Sequence, residues 1–284
     1  MESTKYYSNQ DGERDHYIIN SRTRAQAVVN ELKKYYGKME GQKPLKILEV
    51  GRMPDNLMTM AISDLIEDNI SVIEAPDCIW PGEHYHISTV KETFTHNSHQ
   101  FTFDITRLNI EKDKLPYLDE SFDLILFCEV MEHLLYDPVF ALHELGRVLK
   151  KKGILAVSMP NAICWLNIAV MLANKNPRDL YSGYGPYGRH AREFSMYELR
   201  NLLELQGFFI ISETQCMDFP LTESKLKKFI FLLGNIIFKL PFSLLNEKRG
   251  NTIICLARKE NEITKTYPRW LFRSRYGKDG NTLG

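Results

Sequence analysis

Lys46-Ile47-Leu48-Glu49-Val50-Gly51 is the stretch that decides the fold of this 284-residue chain. It reads as a short, buried strand delivered into a glycine turn. Apolar residues at Leu57, Ala61, Ile62, Leu65 and Ile66 then recur at helical spacing. Strand, glycine turn and helix in that order open a βαβ unit.

Downstream, residues 70–74, 101–104, 122–127, 154–158, 208–213 and 252–257 are apolar or β-branched runs that read as further strands. The helix after the run at 122–127 is the best specified. Asp137 stands as its N-cap, Pro138 at its first position, and Ala141, Leu145, Val148 and Leu149 on its apolar stripe. Lys150-Lys151-Lys152 before Gly153 would suit the negative end of its dipole. A second helix is expected near 196–206. Upstream, Ser21 is expected to cap a helix through Ala25, Val28, Val29, Leu32 and Tyr36, ended by Gly37 and the Gly41/Pro44 region. The alternation predicts an α/β fold, a doubly wound, mostly parallel seven-stranded sheet. An N-terminal helical segment (1–44) precedes the main domain (45–259), a helical insertion (219–250) stands before the last strand, and a basic-aromatic tail (260–284) follows.

With 44% hydrophobic and 25% charged residues, and 36 Lys+Arg against 36 Asp+Glu, the composition is globular and excludes a disordered, collagenous or broadly basic chain. No nucleic-acid partner is expected. The balance hides an asymmetry, since residues 222–284 hold 13 Lys/Arg and 5 Asp/Glu, 13 − 5 = +8. The five cysteines are scattered and never form a CxxC pair, which fits a reducing compartment and gives no thiolate metal site. His84, His86, His96 and His99 fall in an uneven loop without thiols, so no metal is expected. The first residues lack an apolar signal core, and no run approaches the roughly 18 apolar residues of a membrane span. A cytoplasmic location follows as the expectation; oligomeric state is not fixed by any of these features.

In a doubly wound sheet the residues past the carboxyl ends of the strands carry the chemistry. Here they are acidic. Glu49 ends the first strand, Glu74 the second at 74 − 49 = 25 residues further on, Asp104 the third, and Cys128-Glu129-Val130-Met131-Glu132-His133 follows the fourth. A single such acid is usually a helix cap or a solvated turn; four in succession are harder to explain that way.

Residues 46–162 resemble the core of the class I S-adenosylmethionine-dependent methyltransferases. The resemblance is carried by Leu48-Glu49-Val50-Gly51, Asp104, Leu115-Pro116, Asp119-Glu120-Ser121-Phe122-Asp123, Glu129-Val130-Met131-Glu132-His133, and Arg147-Val148-Leu149-Lys150 through Gly153 to Pro160-Asn161. The stretch from Tyr181 to Phe194, with Gly-Arg189-His190-Ala191-Arg192-Glu193, resembles a loop of a bacterial subgroup associated with glycan or lipid-linked sugar modification. The resemblance implies S-adenosyl-L-methionine as cofactor. Glu49, Gly51 and the turn would support its methionine moiety, Glu74 would take the ribose hydroxyls, Asp104 and Ile105 would flank the adenine, and residues 127–133, Cys128 among them, would border the sulfonium and the acceptor. A ribose diol suits a two-oxygen acceptor, and a sulfonium cation suits acidic and aromatic surroundings.

The turn departs from the family's Gly-x-Gly-x-Gly. It reads Gly51-Arg52-Met53-Pro54-Asp55, with Met53 and Asp55 in the second and third glycine places. Arg52 is a candidate partner for the cofactor's carboxylate. A loop that no longer binds anything is the plainer reading, and it motivates the alternative of a non-catalytic methyltransferase-like binding module. A nicotinamide oxidoreductase shares the acid after strand two but lacks its own glycine fingerprint.

For a hydroxyl acceptor the enzyme must position the partners and remove a proton. His133 follows Glu129 by four residues, so a helical turn would put both on one face with the carboxylate orienting the ring. His190 sits between Arg189 and Arg192 in the glycine- and tyrosine-rich loop. His190, His133 and Glu129 are therefore the catalytic candidates, against a local capping or packing role for His133. The acceptor implied by the subgroup is a small molecule, a glycan or a lipid-linked sugar. The apolar run 229–238, flanked by Lys225, Lys227, Lys228 and Lys239, reads either as peripheral membrane contact through 222–245 or as a helix pair packed on the sheet.

Overall fold

Ile47, Leu48, Glu49 and Val50 are all buried, and this strand, β1 (Ile47–Val50), lies at the centre of one sheet. The computed structural model describes residues 11–36, 45–52, 57–62, 70–75, 85–96, 99–177, 188–217, 250–268 and 270–271. Around β1 stand α1 (Asp11–Tyr36), α2 (Leu57–Ala61), β2 (Ile70–Glu74), β3 (Ser88–His96), β4 (His99–Arg107) and β5 (Phe122–Cys128). After a 3-10 turn at Met131–His133 come α3 (Pro138–Val148), β6 (Leu149–Pro160), α4 (Trp165–Leu172), α5 (Met196–Gln206), β7 (Phe208–Cys216) and β8 (Thr252–Lys259).

The strand order is β3-β4-β2-β1-β5-β6-β8-β7. β4, β2, β1, β5 and β6 pair in parallel, whereas β3 runs antiparallel to β4 and β8 antiparallel to both β6 and β7. Alternation along each strand feeds two cores. Leu48, Val50, Ile125, Phe127, Leu155 and Val157 pack with Leu142 and Leu145 of α3 and Leu199 and Leu202 of α5. Ile47, Val72, Leu124, Leu126 and Ala156 pack on the other face with Val28, Val29 and Leu32 of α1 and Met58 of α2. Strands buried on both faces explain why the sequence shows continuous apolar runs instead of alternation.

The expected α/β, mostly parallel sheet is present, but among the described residues it has eight strands rather than seven. The additional strand, β3, spans part of the histidine-containing stretch read as an uneven loop. It pairs with β4 from Ser88↔Arg107 to His96↔His99. Thr89, Val90 and Lys91 are exposed on successive positions, so the described part of this edge strand shows no buried face to imprint a hydrophobic period on the sequence. Ser21 is not an N-cap: it lies buried inside α1, which is already helical at Asp11. No proline interrupts residues 11–21, so nothing stops the helix there.

Asp137 caps α3 as expected, accepting from the Val139 and Phe140 amides at 3.0 Å each. The three lysines do not end that helix. Leu149 is already extended, and the register passes from Phe122↔Leu149 to Leu124↔Ile154, so residues 150–153 bulge out of β6. α5 is closed by a Ser195/Glu198 capping box and by Gly207.

The first part of the basic-aromatic tail packs on the domain. Ile263 lies against Gly146, the Tyr267 hydroxyl donates to Asp137 Oδ2 at 2.6 Å, and Trp270 Nε1 donates to Asn201 Oδ1 at 2.9 Å. Arg192 stacks on both Phe194 and Trp270, 5.0 and 5.4 Å from the ring centroids. The expected insertion falls almost wholly on residues 218–249, outside the described residues, as does the 222–245 membrane-contact stretch. Among the described residues no helix is long and apolar enough to cross a membrane.

Candidate functional site

β1 has β2 on one side and β5 on the other, which makes its carboxyl end the place where the winding of the sheet reverses. A crevice opens there, as the topology requires. It is lined by Val50 and Gly51 after β1, Ile73, Glu74 and Ala75 after β2, Leu108, Asn109 and Ile110 after β4, and Glu129, Val130, His133 and Leu134 after β5.

Gly51 has φ +72°, and its amide donates to Ile73 O at 2.8 Å. A Cβ on it would lie 2.3 Å from Val130 Cγ2. The first turn glycine is thus required both for its conformation and for the close approach of the β5 loop. Met53, Pro54 and Asp55 lie outside the described residues.

Glu74 stands at the cleft edge with Arg52 Nε 2.6 Å from one carboxylate oxygen and Arg107 Nε 3.9 Å from the other. Arg52 also donates to Glu92 on β3 at 2.7 Å. Burial works against its charge, yet Glu92 and Glu74 more than offset that and hold the guanidinium above its ordinary pKa. Arg52 therefore serves Glu74 and Glu92 and does not line the cleft, where it was expected to meet the cofactor's carboxylate.

Four other expected positions are displaced. Asp104 is not at a strand end, because β4 continues to Arg107; its exposed carboxylate lies 3.8 Å from Lys91 of the hairpin. Ile105 is fully buried on the α1 face, and the cleft wall at β4 is formed by residues 108–110. Cys128 also points to the α1 face, where burial pushes its thiol pKa far up. Glu49 is buried off the cleft and accepts from Thr59 Oγ1 of α2 at 2.5 Å.

Glu129 does face the cleft, in the left-handed conformation with φ +57°. Its carboxylate accepts from Ser158 Oγ at 2.9 Å and from Arg24 of α1 at 2.5 Å. Glu129 is thus not on a helical turn with His133 and does not orient that ring. Instead His133 Nδ1 contacts Arg189 O at 3.1 Å, and since a carbonyl only accepts, Nδ1 carries the proton.

His190 is brought alongside. The Ala191 and Arg192 amides donate to Glu132 O at 2.7 and 3.2 Å, which hangs this segment on the 3-10 turn. His133 and His190 meet edge to face with centroids 5.0 Å apart. The close side-chain partner of His190 is the Glu193 carboxylate, 3.0 Å from Nδ1; Arg192, its expected cationic neighbour, pairs with Glu198. Beneath the pair, burial pushes the Glu132 carboxyl well above the usual carboxylate range, with Glu129 and Glu193 adding to the effect.

The loop beyond is fixed by Glu111, whose carboxylate accepts from the Leu135, Tyr136 and Asp137 amides. Arg24, Asn109 and Glu193 had no place among the expected site residues, and Glu132 had one only as part of the range 127–133. Glu132 and Glu193 stood inside quoted motifs, and their identity as acids was the available signal. Arg24 and Asn109 had none, because their roles depend on how α1 crosses β5 and on where β4 ends.

Residues 83–157, from just before β3 into β6, match the family model of a methyltransferase domain. Within residues 83–157 the chain therefore carries the sequence pattern of a methyltransferase domain. Its cofactor is S-adenosyl-L-methionine, and the glycine turn closed by Val130 and the carboxylate at the second strand's end fit such a ligand.

The methyltransferase of a Haloferax volcanii complex with the Trm112 methyltransferase activator shares the fold at a TM-score of 0.52 and 11% identity, over 87% of this chain and 97% of its own. A Burkholderia thailandensis 1,6-didemethyltoxoflavin-N1-methyltransferase, solved with 1,6-didemethyltoxoflavin and S-adenosylhomocysteine, gives 0.49 and 13% over 91% and 87%. A SAM-dependent methyltransferase from Archaeoglobus fulgidus gives 0.47 and 15% over 83% and 94%. No curated protein sequence matches the methyltransferase.

Proposed function

We propose that this methyltransferase acts on a hydroxyl group of a sugar or a lipid-linked glycan. The observation that supports the reading is the His133–His190 pair, of which His133 lines the cleft, each ring anchored through Nδ1 to an acceptor. An imidazole whose Nδ1 proton is held in this way presents Nε2 as its basic atom. Transfer to a hydroxyl needs such a base, whereas an amine acceptor can be methylated first and lose its proton afterwards.

When bound, S-adenosylmethionine supplies a methyl group on a sulfonium, whose carbon–sulfur bond breaks with its electron pair left on sulfur. The turn at Gly51 receives the methionine moiety. Glu74 would accept from the ribose hydroxyls while Arg52 holds its carboxylate in place, and residues 108–110 would flank the adenine where Asp104 and Ile105 were expected. Glu129 places negative charge beside the sulfonium. His133 takes up the hydroxyl proton at Nε2 as the oxygen–methyl bond forms, with His190 completing the acceptor side.

The test is transfer of isotopically labelled methyl from S-adenosylmethionine to a panel of glycans, lipid-linked sugars and amines. The expected product is a methyl ether on a sugar. Label appearing on amines alone would overturn the acceptor assignment. In the same assay His190→Ala is expected to reduce turnover with S-adenosylhomocysteine affinity nearly intact; an unchanged rate would return that residue to a structural role.

A further inference from the structure

We propose that Glu132, His133 and His190 form a binding site for one divalent metal ion, of the class of Zn²⁺ or Mn²⁺, at the acceptor end of the cleft. Ligand-type atoms of these three side chains all lie within 4.8 Å of one another. Ligands at about 2.1 Å from a tetrahedral ion stand about 3.4 Å apart, so small side-chain rotations close the group around a cation.

Glu132 supplies the independent observation. Its side chain is 1% exposed, Oε1 lies 3.9 Å from His133 Nε2, and Oε2 has no hydrogen-bond partner among the described residues. Buried carboxylates are ordinarily paired, hydrogen-bonded or bound to a metal. The charged groups acting on this one are mainly of its own sign, Glu129 and Glu193, with Arg24 opposing them, and Arg24 is engaged with Glu129. A cation between Glu132 and the two rings would relieve that imbalance.

The surroundings of the rings point the same way. Metal-bound imidazoles typically hand their second nitrogen's proton to a carbonyl or a carboxylate, which fixes tautomer and orientation. His133 Nδ1 does so to Arg189 O and His190 Nδ1 to Glu193. One carboxylate and two imidazoles suit a borderline ion and leave a coordination position open. His133 lines the cleft, which puts one ligand of the ion on the wall an acceptor would meet. This deepens the hydroxyl-acceptor reading and rests on it for the ion's role, though not for its binding. With the ion present the rings would be ligands and no longer the base; the ion would lower the pKa of a bound hydroxyl, and its proton would pass to solvent water in the cleft as the oxygen–methyl bond forms.

The experiment is calorimetric titration of the full chain, stripped with EDTA and dialysed, with Zn²⁺ and Mn²⁺, alongside the visible spectrum of the Co²⁺-loaded protein. One ion per chain is expected, with affinity lowered at least about tenfold in both Glu132→Gln and His190→Ala. His86→Ala, on an exposed loop residue, is expected to bind as the parent does. Thermal melting of each variant checks that it is folded, and Glu132→Gln keeps the buried shape if His190→Ala does not fold. S-adenosylhomocysteine is titrated into the same samples. Metal binding without S-adenosylhomocysteine binding supports the site and counts against the methyl-transfer reading. A folded parent that binds no ion, or unchanged binding in both variants, overturns the proposal.

Discussion

Arg24 Nη1 lies 2.5 Å from Glu129 Oε2, so the N-terminal helix holds a cleft carboxylate that stands 105 residues further along the chain. Both side chains are largely buried, at 17% and 11% exposure. Arg24→Met removes a charged hydrogen bond and leaves Glu129 with Ser158 alone on its side-chain side. A loss of about 1.5–3 kcal/mol in stability is expected. Urea unfolding checks it, and turnover should fall in parallel because Glu129 is no longer fixed. A midpoint matching the parent's would show that α1 is not coupled to the site.

The contact between Gly51 and Val130 gives a second expectation. Gly51→Ala introduces a Cβ 2.3 Å from Val130 Cγ2 at a residue with φ +72°. Clash and backbone strain together should cost about 2–4 kcal/mol. Adding Val130→Ala should recover the clash and leave the strain, about 1–2 kcal/mol. Full recovery in the double variant, measured by denaturant titration, would mean that the left-handed turn matters little.

Glu74 and Asp104 separate the cleft from its surroundings. Glu74→Ala should weaken S-adenosylhomocysteine binding by about 1–3 kcal/mol. Asp104→Ala, on the exposed hairpin, should stay within about 0.5 kcal/mol of the parent. Calorimetry reads both, and an equal loss in the two variants would restore Asp104 to the cofactor site.

Glu144 ties stability to acid. Its carboxylate accepts from Arg147 twice and from the Leu115 amide, and Arg147 also donates to Leu115 O and Tyr117 O. Burial opposes the charge, but these donors outweigh it and hold the carboxyl below its ordinary value. Its stabilisation is therefore complete above the unfolded value near ~4.3 and is lost as pH falls through the lower folded value. Arg147→Met should remove that acid limb and cost about 3–5 kcal/mol at neutral pH. Melting temperatures from pH 3 to 7 for parent and variant provide the check.

The fold was legible where burial wrote a pattern. β1, β2, β5 and α3 were readable because apolar runs and a capping aspartate with proline are local signals, and α5 stands where a helix was expected. β3 was not, because an edge strand exposed on its outer positions needs no apolar period. Glu74, Glu129, His133 and His190 were readable as acids and imidazoles near strand ends. Asp104 and Cys128 were misplaced for one reason: a strand's end and a side chain's face are set by register with neighbours. Three extra residues carry β4 past Asp104, and alternation turns Cys128 toward α1. Arg24 was invisible because its function is a crossing of distant elements.

Arg192, Phe194 and Trp270 form a stack two residues beyond His190. Trp270 belongs to the segment after β8, so the far end of the described chain acts as a brace on the acceptor side. A truncation made just after β8 to obtain a minimal domain would take away that brace together with Tyr267's hold on the first turn of α3. Such a shortened protein would keep its sheet and cofactor crevice while its histidine segment loosened. Affinity tags and fusion partners are accordingly better joined at the other end, and a C-terminal deletion that retained cofactor binding yet lost turnover would reflect mechanics rather than missing chemistry.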